Sequence, residues 1–592
     1  MSLQKHLLNS PATLVSESLQ GLCAVNPQLA YDPENQVVYR RTIDPSKVAV
    51  ICGGGSGHEP SHAGFVGEGI LSAAVCGSVF ASPNASQVRR GIDLVENDAG
   101  TLIVVKNYTG DVLNFGLAKE QYAAEHGKKP NQVKFLVVGD DVAVGKTQGD
   151  IVGRRGLAGV VLVYKIAGAL AAQGGSLDEV YSIAQYVSSR IGTIGVGLEH
   201  CHVPGTATGE THLAADEIEI GLGIHNEPGN KRIKPVPPLK ELVPQLLDLI
   251  MSTTDKERSF LPFKNDGKDE VVLLVNNLGG LSELELSGIT HSASEELKNR
   301  KVVVSRIISG TFMTSLNMPG FSISLVLLPR DGDVDAPKAS QVLSLLDAKA
   351  ETPGWKWTST SKPNASFTLD KGLKSTTTTK STDAGSLSAA DPKGFIEAIK
   401  RACQAVVDEE PEITRMDTIA GDGDCGLTLK AGSDGVSEEI VAGNIKGTDL
   451  VNDIVDIAKV AEKKMGGTSG ALYSIFFSAL AQGLQANAGS STTVTDDIWK
   501  LALSDALAKL YTYTRARPPS RTLVDPLAAF ITNVGQGFPA AVKDASDAAE
   551  YTKNVKAKAG RSAYVDSSLL TKEQVPDPGA WGVRTILQAL FV

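Results

Sequence analysis

The sequence predicts two domains of different class, an α/β region at the N-terminus and an all-α region at the C-terminus. Short β-branched runs alternate with longer helical patterns over the first ~340 residues, as in an α/β sheet. The stretch 371–385 then has almost no apolar side chains, so it cannot offset the entropy of ordering and is typical of a linker. Mostly helical patterns follow. We therefore predict domains at 1–345 and 389–592, joined by a linker region at 346–388.

Five β-branched runs are the strand candidates of the first region. Four of them end in glycine or polar residues, where open α/β sheets place their ligands. The runs are 48–51, 102–105, 135–138, 271–275 and 302–304. The segment Pro235–Pro238, followed by a helical run to about Met251, is the candidate boundary between two α/β subdomains.

The second region begins with a helix start signal. Asp391 and Pro392 are residue types favoured at the N-cap and the first helical position. Apolar residues then recur at three- and four-residue spacing from Phe395 to Val407, which predicts an amphipathic helix. No comparable series of strands follows, so we predict an all-α domain with functional loops between its helices. Periodicity places further helices at roughly 450–464, 469–486, 495–513, 522–534, 538–561 and 578–590.

The composition excludes several classes of protein. The 592 residues carry 57 Lys and Arg against 67 Asp and Glu, a formal net charge of -10, and show no basic stripe that would bind nucleic acid. No leader-like apolar core and no run of ~18 uncharged apolar residues is present. The six cysteines form no CxxC pair, which argues against disulfides and zinc. We expect a cytoplasmic protein with reduced thiols that binds neither nucleic acid nor membranes.

Three carboxylates give the C-terminal region its sharpest chemistry. Asp417, Asp422 and Asp424 are spaced five and two residues apart with glycines between them. Glycine permits the tight turn that lets them converge, and hard oxygen ligands suit Mg²⁺. An EF-hand loop would need an oxygen ligand at Gly426 and a glutamate at Ser433, so we reject it. A solvated acidic turn is the alternative for this segment taken alone.

Two further segments favour phosphate chemistry. The run Met465–Gly470 opens an apolar helix, whose free N–H groups and positive dipole end suit an anion. Arg561 supplies a guanidinium, although a lone arginine is more often part of a surface ion pair, and Asp577–Gly579 forms a turn into the last helix. Carboxylates, an anion-binding helix start and an arginine are together what phosphoryl transfer requires.

The N-terminal region has a glycine- and histidine-rich site of its own. Strand 48–51 runs into Cys52–His62, where we expect a loop whose glycines let the backbone approach a small ligand. His58 in this segment can transfer protons near neutral pH. Lys106–Asp111, at the end of a neighbouring strand, adds a cation, hydroxyls and a carboxylate. His225 lies in another glycine-rich run, but a lone loop histidine is more often structural.

Two other segments only resemble functional motifs. The run Gly139–Thr147 is similar to a P-loop, but five residues separate its glycines where the motif allows four, so we assign it no nucleotide role. His200, Cys201 and His202 with His212 lack the ligand spacing of structural zinc, so we interpret them as structural.

Together, the motifs of both regions resemble those of the single-chain, ATP-dependent dihydroxyacetone kinases. The match runs in order over essentially the whole chain, on both sides of the predicted linker. GGGSGHEPSHAGFVGEG, KNYTGD, VGRRGL and GIHNEPG are similar to the family's substrate domain. DTIAGDGDCG, MGGTSGALY, GRSAY and DPGA are similar to its nucleotide domain. The resemblance implies a dihydroxyacetone-binding domain at 1–345 and a helical-barrel-like ATP-binding domain at 389–592.

The resemblance also implies roles for single residues. His225 stands where the family's histidine attacks the ketone of the substrate and holds it as a covalent hemiaminal, which excludes glycerol. His58 and Asp111 fall on proton-transfer positions, and Arg561 matches the arginine that faces the transferred phosphoryl group. The implied Mg²⁺ ligands are Asp417, Asp422 and Asp424. Further implied substrate contacts are Gly55, Ser56, Gly57 and Lys106, and the implied ATP contacts are Cys425, Gly426, Leu427, Thr428, Thr468, Ser469, Thr514, Leu523, Asp577, Pro578 and Gly579.

The reaction implied by the resemblance is phosphorylation of dihydroxyacetone, and of D-glyceraldehyde, by ATP with Mg²⁺. It further implies a homodimer, with a domain-swapped active site as one arrangement. One alternative is an FAD-AMP lyase activity of the nucleotide domain, which forms a cyclic flavin phosphate. Another is a non-catalytic, ligand-sensing regulator, which would predict a broken histidine or carboxylate set, whereas both sets are intact.

Overall fold

The computed structural model describes residues 5–126, 132–207, 213–356, 359–363, 387–558, 570 and 572–591. The chain divides into two compact units, Met1–Leu369 and Asp370–Val592. All the named strands of the described residues lie in the first unit, and the second is helical. The predicted α/β and all-α classes are confirmed. His212, Arg561 and the predicted linker stretch 371–385 lie outside the described residues.

The first six strands form one sheet of the first unit. Its order is β1-β2-β4-β3-β5-β6. The pairs β3–β4, β3–β5 and β5–β6 are parallel, and β1 and β2 extend the sheet in antiparallel fashion. The strands are β1 Leu29–Asp32, β2 Val37–Arg40, β3 Ala49–Ser56, β4 Ala73–Val79, β5 Thr101–Lys106 and β6 Val133–Val138.

The other six strands form a second sheet, in the order β11-β10-β12-β7-β8-β9. Only β10 and β11 are parallel among its pairs. The sheet already begins at Ile191, so the predicted subdomain boundary at Pro235–Pro238 is wrong. The short strands before those prolines pair with the second sheet and carry no extended apolar run. The strands are β7 Ile191–Gly197, β8 Ile218–Ile220, β9 Lys231–Ile233, β10 Glu270–Asn277, β11 Val303–Gly310 and β12 Gly320–Leu327.

One central helix joins the two sheets of the first unit into a common core. Val160–Ala172 is buried along nearly its whole length and packs in one hydrophobic cluster with residues of both sheets. This explains its almost continuous apolar sequence, since a helix covered on all sides needs no polar face. The helices of this unit are α1 Leu14–Val25, α2 Ala85–Leu94, α3 Thr109–Glu125, α4 Val160–Ala172, α5 Leu177–Ser189, α6 Leu239–Met251, α7 Glu283–Asn299 and α8 Ala339–Asp347.

The second unit opens with the helix that the sequence predicts. The Asp391 carboxylate accepts hydrogen bonds from Lys393 N (3.1 Å) and Gly394 N (3.0 Å), and Pro392 is the first helical residue. The helix at 425–441 was not predicted, and the one predicted at 538–561 ends as an α-helix at Tyr551. The helices are α9 Pro392–Ala420, α10 Cys425–Val441, α11 Leu450–Val460, α12 Gly467–Asn487, α13 Asp496–Tyr513, α14 Val524–Asn533, α15 Phe538–Tyr551 and α16 Pro578–Phe591.

Apolar faces of these helices form the core of the second unit, which contains residues from all of α9 to α16. Among the described residues, no helix has the length and apolar character needed to cross a membrane.

Candidate active sites of the two units

The glycine run of the first unit forms a strand end and not the predicted loop. Strand β3 continues through Ser56 because its partner β4 keeps pairing beyond Gly53. Gly54 has φ +149°, and a Cβ there would lie only 3.2 Å from Asp111 Oδ2. The missing side chain therefore lets the carboxylate of α3 approach the end of β3.

His58 follows this strand and is completely buried. Its Nδ1 lies 2.8 Å from the carbonyl oxygen of Thr314. Because a carbonyl only accepts, Nδ1 carries the proton and Nε2 of a neutral ring has a lone pair. Burial and the charge of Lys106 hold the pKa of His58 well below its usual range, so the ring is neutral near pH 7.

His225 lies directly opposite His58, with the two Nε2 atoms 3.0 Å apart. It belongs to the loop between β8 and β9. Its Nδ1 donates to Glu227 Oε1 (3.1 Å), and its backbone N–H donates to Oε2 (2.9 Å). Burial opposes ionisation of Glu227, but the hydrogen bonds and charge of His225 outweigh it and lower the pKa of Glu227 to about 2. The Glu227 carboxylate therefore holds the Nδ1 proton of His225. When both rings are neutral, the two facing Nε2 atoms each carry a lone pair, an arrangement that favours a proton or an electrophile between them.

Two aromatic rings form the walls around this histidine pair. Phe80 stacks on His58 at 5.2 Å between ring centroids and meets His225 edge-on at 4.9 Å. Tyr108 meets His225 edge-on from another side at 4.7 Å. The sequence analysis singled out neither ring, nor Glu227, although Tyr108 and Glu227 lie within the quoted motifs. The rings restrict how His225 can turn.

A buried charge pair completes the site. Lys106, at the end of β5, has no exposed surface, and its Nζ has no hydrogen-bond partner in the structure. Asp111, in the first turn of α3, is 4% exposed. Burial raises the pKa of Asp111 and lowers that of Lys106, and each charge counteracts the shift of the other. Strands β3 and β5 are parallel neighbours, so the prediction that the two segments follow neighbouring strand ends is confirmed.

The three other predicted substrate contacts lie at the same strand end. Ser56 Oγ donates to the carbonyl oxygen of Gly77 (2.8 Å), and Gly57 N donates to Glu59 Oε2 (3.0 Å). A Cβ on Gly55 would lie 2.7 Å from Ala81 N. These residues thus hold the strand end in place, and their direct contact with substrate stays a prediction.

In the second unit, the three predicted aspartates converge between α9 and α10. One carboxylate oxygen of each lies within 4.8 Å of the others, the only such cluster of possible metal ligands among the described residues. Asp417 is buried and accepts a hydrogen bond from Cys425 N (2.9 Å), whereas Asp422 and Asp424 are exposed. Gly423, with φ +83°, makes the turn between them. Three hard oxygen donors of this kind fit Mg²⁺ with water and phosphate in its remaining positions.

The predicted phosphate contacts occupy two helix starts. Thr468 and Ser469 lie in the first turn of α12, behind Gly466 (φ +63°) and Gly467 (φ +54°). Cys425, Gly426, Leu427 and Thr428 form the first turn of α10. Free N–H groups at such starts attract anions.

Asp577 precedes α16 and is nearly buried, with 8% of its surface exposed. Its Oδ1 accepts from Ala580 N (2.9 Å), and its own N–H donates to Thr552 Oγ1 (2.8 Å). Burial raises the pKa of Asp577 to about 7, although the hydrogen bond from Ala580 and the charge of Arg521 oppose this. Leu523 lies beside the same turn, since its Cβ is 3.5 Å from where a Cβ of Gly579 would be.

Arg521 is a buried residue that the sequence analysis missed. It is 1% exposed and donates to the carbonyl oxygens of Thr552 (2.7 Å) and Val575 (2.8 Å). It thereby ties the loop before α14 to the segments that flank Asp577. Thr514, the other predicted nucleotide contact of this region, ends α13 and accepts a hydrogen bond from Ala516 N (3.1 Å).

Comparison with known proteins covers both units. Residues 20–354 match the model of the Dak1 domain, and residues 419–591 match that of the DAK2 domain. The dihydroxyacetone kinase of Pichia angusta is 42% identical over 98% of this chain and 97% of its own. The triokinase/FMN cyclase of Homo sapiens is 37% identical over 99% of both chains. The crystal structure of the dihydroxyacetone kinase from C. freundii in complex with AMP-PNP and Mg²⁺ is 30% identical, covers 99% of both chains and superposes with a TM-score of 0.62.

Proposed function

The chain belongs to the family of single-chain, ATP-dependent dihydroxyacetone kinases, and we propose that it phosphorylates dihydroxyacetone while the substrate is held as a covalent hemiaminal on His225. The observation that carries this proposal is the arrangement of His225, whose Nδ1 proton is held by Glu227 and whose Nε2 faces His58. Family membership rests on matches that extend over both units.

In the trapping step, Nε2 of His225 forms a bond to the carbonyl carbon. The π electron pair of the carbonyl moves to its oxygen, which takes the proton of Asp111, relayed through the Nε2 lone pair of His58, and Asp111 is left as a carboxylate. The ring becomes a positively charged imidazolium, and the Glu227 carboxylate beside Nδ1 stabilises that charge. Glycerol has no carbonyl, so it cannot enter this step. D-glyceraldehyde has one, and we propose it as a second substrate.

In the transfer step, a substrate hydroxyl attacks the γ-phosphorus of ATP and ADP leaves. Asp111, which burial keeps at a raised pKa, accepts the hydroxyl proton. Lys106 offers its unpartnered ammonium to a substrate oxygen. Asp417, Asp422 and Asp424 would hold Mg²⁺, which neutralises phosphate charge when bound. Arg561, outside the described residues, is the proposed cation for the transferred group.

A second activity is favoured by the relatives named triokinase/FMN cyclase, which match the full chain. We propose testing the protein with FAD and Mn²⁺ for release of AMP and a cyclic flavin phosphate. Formation of both products that is lost in Asp422→Ala would support this activity in the second unit. A wild-type protein that leaves FAD unchanged would reject it.

Paired variants test the kinase mechanism. His225→Ala should lose the low KM for dihydroxyacetone and most activity, while ATP binding stays as in wild type. Asp422→Ala should lose ATP turnover and retain carbonyl binding. Asp547→Asn, an exposed change on α15, is the control. A His225→Ala protein with wild-type KM and kcat would refute the covalent mechanism. A wild-type protein that binds dihydroxyacetone but shows no kinase turnover would favour the regulator.

We further propose a homodimer in the cytoplasm and a barrel-like arrangement of the second unit. Sedimentation of the full chain at several concentrations tests the dimer, which a monomer at all concentrations would contradict.

A further inference from the structure

We propose that Arg155 is a positioning residue, which fixes Glu227 and the loop that carries His225 so that Nε2 of His225 stays directed at the substrate. The inference rests on the proposed role of His225 as the nucleophile. Arg155 belongs to neither histidine loop and lies between β6 and α4, so its part in the site follows only from the three-dimensional arrangement.

The first nitrogen of Arg155 is anchored on a buried acid. Its Nε donates to Asp141 Oδ2 at 2.7 Å, and the Asp141 side chain has no exposed surface. The other oxygen of Asp141 accepts from Ala143 N at 2.8 Å. The whole Arg155 side chain is 16% exposed. A planar fork held at one end by a fully buried carboxylate has little freedom to turn, which suits a residue that fixes others.

The second nitrogen of Arg155 holds the start of the His225 loop. Its Nη2 donates to the carbonyl oxygen of Gly221 at 2.7 Å. Gly221 is the first residue after β8, four positions before His225. The guanidinium therefore connects the acid after β6 to the backbone from which the nucleophile projects.

The third nitrogen of Arg155 faces Glu227. A Cβ on Gly223 would overlap with Glu227 Oε2 and would lie 2.6 Å from Arg155 Nη1, so both groups point at the same face of this glycine. The positive charge of Arg155 is stabilised by Glu227 as well as by Asp141. Negative and positive side chains thus alternate from Asp141 through Arg155 to Glu227. The last of them, Glu227, accepts the hydrogen bond from Nδ1 of His225.

The other side of the loop is fixed without charges. Asn226 exchanges hydrogen bonds with the backbone of Cys201, at 2.9 and 3.0 Å, and Ser315 Oγ donates to the carbonyl oxygen of Ile224 at 2.6 Å. These contacts hold the backbone of the loop but do not touch the Glu227 carboxylate. Loss of Arg155 should therefore disturb Glu227 and the His225 ring more than the path of the chain.

The test compares Arg155→Gln, Arg155→Lys and the control Arg154→Gln in the full chain. Arg154 is the adjacent arginine, but it stacks on Phe260 and lies near the carbonyl oxygens of Asp140 and Ile191. With Arg155→Gln we expect KM for dihydroxyacetone to rise at least about tenfold and KM for ATP to stay unchanged. Arg155→Lys keeps the charge but not the fork, so it should also raise KM for dihydroxyacetone.

Three results would overturn the proposal. They are an unchanged KM for dihydroxyacetone in both Arg155 variants, an equal effect in Arg154→Gln, and a fall in activity without any change in the ratio of the KM values for dihydroxyacetone and ATP. If Arg155→Gln does not fold, the KM of Arg155→Lys decides. His225→Ala separates the two hypotheses. If that variant keeps the wild-type KM, the nucleophile assignment fails; if it loses trapping while both Arg155 variants behave as wild type, only the role of Arg155 fails.

Discussion

Replacing Asp577 by asparagine should stabilise the second unit relative to wild type, by an amount that grows as the pH rises. Burial raises the pKa of Asp577 from 3.8 to about 7 in the folded chain. Between these values, the unfolded chain releases this proton and the folded chain keeps it, so the wild type loses stability with rising pH. The loss is about 1.4 kcal/mol per pH unit and reaches about 4 kcal/mol near pH 7, after which it stays constant. The asparagine side chain cannot titrate, and its carbonyl oxygen can still accept the hydrogen bond from Ala580.

The assay is denaturant unfolding of the full chain without nucleotide or divalent cation, at pH 4, 5, 6, 7 and 8. Tryptophan fluorescence reports on this region because Trp581 N donates to the Asp577 carbonyl oxygen at 2.9 Å. The difference in the free energy of unfolding between Asp577→Asn and wild type should grow from pH 4 to 7 and then level off. Asp547→Asn, on the exposed face of α15, should show no such trend. A difference that stays constant with pH would refute a buried, protonated Asp577.

Three further substitutions test other parts of the two sites. Glu227→Gln should lower kcat/KM for dihydroxyacetone about tenfold, since the carboxylate that stabilises the His225 imidazolium is lost. Glu179→Gln, in the exposed cap of α5, is the control. A change below twofold in Glu227→Gln would contradict the role of Glu227. Gly223→Ala should abolish the use of dihydroxyacetone but leave ATP binding unchanged, because the added methyl group would displace Glu227 and Arg155. Normal kinetics would show that the close packing of these two side chains on Gly223 is dispensable. Arg521→Met should destabilise the second unit by about 2–4 kcal/mol in thermal unfolding, since two buried carbonyl oxygens lose their donor. An unchanged melting temperature would disprove the role of Arg521 as an anchor of these segments.

Periodicity and turn chemistry were sufficient to predict the class of both units. The start of α9 at Asp391–Pro392 and most helices after it follow from local signals that act within a few residues. The second sheet was harder to predict because β8 and β9 have three residues each and are stabilised by pairing with distant strands. The strand character of Gly53–Ser56 likewise depends on β4, which no local propensity of glycine indicates.

The site was predicted best where the chain is contiguous. The convergence of Asp417, Asp422 and Asp424 follows from their spacing and a glycine turn, and the meeting of Lys106 with the end of β3 follows from parallel pairing. The contact between His58 and His225 joins loops 167 residues apart, and only the family resemblance pointed to it. Arg155 lies in the quoted motif VGRRGL, but both it and Arg521 act through buried carbonyl oxygens and carboxylates of other segments, so the local sequence does not indicate what either side chain contacts.

The central claim is that the substrate becomes covalently attached to His225. The most direct measurement is a crystal structure of the full chain after soaking with dihydroxyacetone, with glycerol as the matched ligand without a carbonyl. We predict continuous density from His225 Nε2 to the central carbon of dihydroxyacetone, and no such density with glycerol. Dihydroxyacetone bound beside an unmodified His225, or attached to another residue, would contradict the account.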